Sequence, residues 1–142
     1  MFKYLYYRLY HYYERCYSFG GHKNDEWQKE DYHFSTNIAL STWQMGLVFC
    51  ITMTLRVFQP IDTLFHKGIF VFLIVFVSGA VFFIYNKKSF KDKMPELDEK
   101  YKYSRINKWM KTWFFAILFF SSIIIFMLFP FLFSNMLKLI LS

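Results

Sequence analysis

Charge is missing from three long stretches of this 142-residue chain: residues 34–55, 68–86 and 112–137 hold no Asp, Glu, Lys, Arg or His. Chemistry that runs inside a bilayer needs ionisable groups there, so proton relays, ion pathways and intramembrane bond cleavage find no residues to carry them. Haem ligation is excluded on the same ground, because His11, His22, His33 and His66 all lie outside these stretches. Cysteine is scarce. Cys16 and Cys50 set no disulfide framework, and each reads as a small apolar residue. No signal peptide opens the chain and no lipidation motif marks either end, so the first uncharged stretch is expected to act as the insertion signal. Glycine-rich phosphate loops, paired carboxylates and Ser-His-Asp sets are missing too, which leaves no catalytic, cofactor or metal residues to nominate.

What is present is apolar and aromatic. Hydrophobic residues make up 56% of the chain and aromatics 25%, with 20 phenylalanines against 5 glycines and 3 prolines. A soluble core of this length cannot hide so many phenylalanines, and a second, apolar solvent is implied. Each uncharged stretch matches or approaches the ~20 residues that cross ~30 Å of hydrocarbon. The expected fold is an all-α integral membrane protein with three transmembrane helices, spans at about 34–55, 68–86 and 112–134.

The opening FKYLYYRLYHYYERCY is amphipathic at helical period. Phe2, Leu5, Tyr6, Leu9, Tyr12, Tyr13 and Cys16 share one side; Lys3, Arg8, His11, Glu14 and Arg15 share the other. Tyrosine suits the headgroup boundary because its ring tolerates acyl carbons while its hydroxyl stays wet. The pattern predicts an interfacial helix over 2–17 within a cytoplasmic segment 1–33. Leu5, Leu9, Tyr12 and Tyr13 would meet lipid, as would Trp109 and Trp113 at the third span. The rival is an amphipathic helix packed on the rest of the protein. Gly20-Gly21 supplies the stop, and HKNDEWQKEDYH (22–33) reads as a solvated connector whose Trp27 and Tyr32 anchor its end. Its two histidines lack a ligand spacing.

The charges give an orientation. Fourteen lysines and arginines fall in residues 1–33 and 87–111, and three (Arg56, Lys67, Lys138) fall on the opposite side of a three-span chain. The positive-inside rule puts the N-terminus in the cytoplasm and the C-terminus outside. In the basic connector 87–111, Pro95 suits a first helical turn, followed by Glu96, Asp98 and Glu99 and then Lys100, Lys102 and Arg105, an order that complements the helix dipole. Phe90, Met94, Leu97 and Tyr101 fall on a shared face, with a break expected at Pro95. Lys87, Lys88, Lys91, Lys93, Lys108 and Lys111 are placed to meet anionic lipid. Nucleic acid is not expected as a partner, given the interleaved acids and the juxtamembrane position.

The first span carries a polar stripe: Asn37, Ser41, Gln44 and, less closely, Thr52. Such groups join helices. They fit packing against the other two spans, or a contact with a second copy or another membrane protein. Ser78-Gly79-Ala80 and Ser121-Ser122 allow close helix approach, and Pro130 is expected to kink the third span.

The tyrosine-rich helix, YHFST entering the first span, and FIYNKKSFKDKMPELDEKY after the second resemble a group of small bacterial polytopic membrane proteins whose second span ends in a similar Tyr-Asn-Lys-Lys segment. The resemblance implies a bacterial cytoplasmic (inner) membrane and the same skeleton; the group lends no activity. Three function classes follow. The first is a non-enzymatic membrane protein acting through protein contacts, as an accessory subunit or a toxin-immunity-type protein. The second is a homo-oligomeric, holin-like pore-former. A membrane enzyme, the third, lacks a site.

Overall fold

In a computed structural model, the protein is described over residues 1–19, 26–58, 68–105, 107 and 111–141. Among these residues the chain forms five α-helices: α1 (Phe2–Phe19), α2 (Glu26–Val57), α3 (Gly68–Phe90), α4 (Met94–Tyr101) and α5 (Thr112–Leu141), with a 3₁₀ turn at Lys91–Lys93 between α3 and α4. Three of them, α2, α3 and α5, are long and apolar enough to cross a membrane.

The third span begins where charge disappears, at Thr112, and α5 runs on through Pro130 to Leu141; α3 is described from Gly68 onward. The first begins earlier than expected. Residues 26–33, read from sequence as solvated connector, are helical and continuous with the span, so α2 is 32 residues long. At 1.5 Å per residue that is ~48 Å, well beyond the ~30 Å of hydrocarbon. Charge alone does not break a helix, and no glycine or proline interrupts the chain between residue 26 and Gly46. The remainder of that connector, residues 22–25, lies outside the described residues, as do Gly20 and Gly21.

α2 is the central element, packed against α1, α3 and α5, while α1 also touches α4 and α5. The buried core sits at one end of this arrangement. It joins Tyr6, Leu9 and Tyr10 of α1, Tyr32, Leu40 and Trp43 of α2, Phe90 of α3, Met94 and Leu97 of α4, and Phe115 and Phe119 of α5. Pro95 occupies the first turn of α4, and the shared face of Phe90, Met94 and Leu97 is used across the 3₁₀ turn.

The packing of α1 corrects one expectation. Five consecutive residues, Tyr6 to Tyr10, are all buried, with exposures of 0, 6, 5, 0 and 8%. Five residues go more than once around a helix, so this turn has protein on every side. Leu9, expected on lipid, is fully enclosed by protein, and Leu5 and Tyr13 pack against the same core. The reason lies in the tyrosine tips. Tyr6 Oη is 2.7 Å from His33 Nδ1 on α2, and Tyr4 Oη donates to Asn107 Oδ1 at 2.7 Å, so hydroxyls that would stay wet at a headgroup boundary find partners in the chain. Tyr12 is half-buried, its ring edge-on to Trp113 at 5.6 Å and to Phe120 at 6.1 Å.

Candidate functional site

Two features concentrate polar chemistry. The first is an amide junction between α2 and α3. Asn86 is fully buried, and its Nδ2 donates to Gln44 Oε1 at 2.8 Å and to Ser41 Oγ at 3.2 Å. The structure thus brings Ser41 and Gln44 of the polar stripe to another span of the same chain. Asn37, 2% exposed, lies on the stripe one turn nearer the N-terminus, beside a cleft that Lys87 and His33 also line. Thr52 bonds back to its own helix at Val48 O, 2.7 Å away. A third helix joins through Trp43, whose indole N–H donates to Ser122 Oγ at 2.8 Å. Gly79 brings α3 against Met45, since a Cβ there would collide with that side chain.

Asn86 escapes a reading of the sequence alone because it ends an uncharged stretch and looks like a boundary residue. The sequence holds the pair nonetheless: α2 and α3 run antiparallel, and the amide in the last turns of α3 meets Gln44 near the middle of α2. Gln44, midway along the uncharged stretch 34–55, thus meets an amide that directly precedes the lysine-rich segment.

The second feature is a cleft of about 620 Å³ between α1, α4 and the start of α5. Among the described residues its walls carry four permanent cations, Arg8, Arg15, Lys102 and Lys111, and one carboxylate, Asp98. Arg8 is 5% exposed; its Nη1 donates to Asn107 Oδ1 at 2.9 Å and its guanidinium carbon lies 5.0 Å from the centre of the Phe115 ring. Asn107 is itself fixed by donating from Nδ2 to Tyr101 O at 2.5 Å. Arg15 Nη1 donates to Thr112 Oγ1 at 2.9 Å, at the first residue of α5. Burial, above all, lowers the Arg8 pKa; Tyr4 and Tyr7 act against that and the Arg15 charge adds to it, yet a guanidinium stays charged.

His11 closes one wall. Its Nδ1 is 2.6 Å from Glu14 Oε2 and its Nε2 is 2.9 Å from Asp98 Oδ1, which ties α1 to α4. Burial pulls its pKa down, but hydrogen bonds and charge from the two carboxylates outweigh this, and the net shift is upward. Burial also raises Tyr6, and pushes Tyr10 up to about 12, so both are neutral hydroxyls at pH 7.

The remaining expected contacts are scattered. Trp113 is half-exposed at the cleft mouth; Lys87, Lys88 and Lys93 are exposed at the end of α3 and in the turn that follows; Lys111 lines the cleft. Lys108, Trp109 and the side chain of Lys91 lie outside the described residues. Compared with protein-family models, curated proteins and solved structures, the chain matches none of them.

Proposed function

We propose that this chain is a non-enzymatic integral membrane protein that works by contact with another membrane protein, as an accessory subunit or a toxin-immunity-type protein, in the inner membrane of a bacterium. The observation that carries this reading is an apolar cleft of about 430 Å³ between α2, α3 and α5, in the half of the bundle away from α1. Met45, Met53 and Met127 line it beside Gly46 and Phe72. Flexible thioethers adapt to a partner's shape. Polar groups of the spans support the non-enzymatic reading: those of Ser41, Gln44, Trp43, Thr52, Thr54, Ser78 and Ser122 are bonded within the chain. A pore would need that polar stripe turned toward a lumen, whereas its Ser41 and Gln44 face Asn86 of the same chain.

The orientation belongs to the same proposal. The end with α1 and α4 carries Lys3, Arg15, Lys87, Lys88, Lys93, Lys100, Lys102 and Lys111, which favours the cytoplasm. There α1 sits at the headgroup level, its Phe2 end and Trp113 meeting the interface. A reporter active only in the cytoplasm should be silent when fused after Ser142 and active at Lys93; the opposite pattern reverses the topology. For the contact itself, a photo-reactive phenylalanine analogue at Phe72, in cells, should yield an adduct with a second polypeptide. Adducts with lipid alone would remove the reading.

A further inference from the structure

We propose that the cleft between α1, α4 and α5 is a binding site for a phosphate group, gripped by Arg8, Arg15, Lys102 and Lys111. The site goes beyond the contact function above and requires only the fold. Its charge is concentrated: four permanent cations face a volume of about 620 Å³ with one carboxylate among them, and Asp98 Oδ1 is already engaged by His11. Both arginines are held in place: Asn107 Oδ1 and the Phe115 face are among the contacts of Arg8, and Arg15 donates to Thr112 Oγ1. Such contacts orient the guanidinium planes, and the planar fork suits phosphate oxygens. Pre-ordering also lowers the entropy lost when an anion enters.

The start of α5 adds to this. Thr112 and Trp113 line the cleft, and Phe115 N–H donates to Lys111 O at 3.0 Å, in the first turn of α5. The start of a helix carries the positive end of its dipole, which favours an anion there. Arg8 and Arg15 line the same cleft, so one anion there can meet both charges. The volume exceeds that of a single phosphate and leaves room for an ester substituent. Two sources share the chemistry, a free phosphate and the headgroup of an anionic lipid, and Trp113 beside the cleft is where a headgroup would stand.

The test uses the full chain purified in a zwitterionic detergent. Thermal unfolding is followed while inorganic phosphate, dihexanoyl phosphatidic acid or dihexanoyl phosphatidylcholine is titrated in at constant ionic strength. A saturable rise in midpoint with phosphatidic acid, and little with the choline lipid, is expected. A comparable rise with inorganic phosphate assigns the site to the free anion; a rise with the lipid alone assigns it to the headgroup. The Arg15→Gln/Lys102→Gln variant changes two exposed side chains and should keep its unliganded midpoint while binding about 10- to 100-fold more weakly, the weight of one or two charge-assisted bonds. Lys87→Gln/Lys88→Gln removes equal charge outside the cleft and should bind as the parent does. No saturable shift with either phosphate ligand overturns the proposal. So do equal losses in the two variants, which mean diffuse attraction to a basic surface.

Discussion

Trp43 and Phe72 are both large rings on long apolar helices, yet Trp43 is 7% exposed and Phe72 is 69% exposed. The difference divides the molecule. Around Trp43, rings interlock across elements: Phe119 stacks on it at 6.2 Å, Phe126 meets it edge-on at 5.5 Å, and Phe2 of α1 does so at 6.2 Å. Around Phe72, the ring contact is with Phe76 of the same helix, at 6.2 Å. The first region resembles a soluble core, because it mixes apolar bulk with polar tips that must be satisfied by neighbours. The second is nearly pure hydrocarbon. Between helices in lipid, burying a phenylalanine gains little over leaving it against acyl chains, so nothing forces the helices of that half together. Polar atoms, more than apolar area, decide where this protein is tightly packed.

That comparison can be broken by substitutions, the largest effect first. Leu9→Ala deletes a fully enclosed side chain and should lower stability in detergent by about 2–5 kcal/mol, whereas Phe76→Ala, at an exposed ring, should change it by less than about 0.5 kcal/mol. Equal losses would mean that the two halves are packed alike. Asn86→Leu leaves Gln44 and Ser41 unsatisfied and should cost about 1–3 kcal/mol, part of it recovered in Asn86→Leu/Gln44→Leu because the second change removes a stranded amide. A double variant worse than either single one would show that the junction is not a pair.

A smaller effect concerns pH. His11 faces Glu14 on its own helix and Asp98 on α4, with Arg8, Arg15 and Lys102 around the same cleft. Its folded pKa is raised above the ordinary value of ~6.5. The tie between α1 and α4 therefore contributes fully below pH ~6.5 and is lost as pH rises through the raised folded value. Midpoints measured from pH 6 to pH 9 should fall by a few degrees at most, and His11→Gln should remove that slope. An unchanged slope in the variant would assign it to other groups.

The three spans were legible because charge is excluded from hydrocarbon whatever the tertiary structure, which is why Thr112 marks a helix start in sequence and structure alike. The start of α2 was not, because Glu26 to His33 are charged in a way that suits a wet loop and an exposed helix equally. Nor was the enclosure of α1. A helical wheel finds one apolar face, and Tyr7 and Arg8 on the other flank are buried only because Asp98, Asn107 and Phe115 arrive from distant parts of the chain. The candidate site was legible only in fragments: Lys111 stood out as basic, but nothing local ties it to Arg8, Arg15 or Lys102.

The measurement that bears most directly on this division places a diazirine analogue of leucine at Leu9 in one sample and at Leu73 in another, each reconstituted in lipid bilayers and irradiated. Leu9 is fully buried and Leu73 is 54% exposed, so both positions accept a near-isosteric probe. If α1 is enclosed by protein, the carbene at position 9 inserts into peptides of α2, α4 or α5, and the one at position 73 inserts mainly into lipid. Lipid adducts at position 9 in the same proportion as at position 73 would contradict it, and would return the tyrosine-rich helix to the membrane surface.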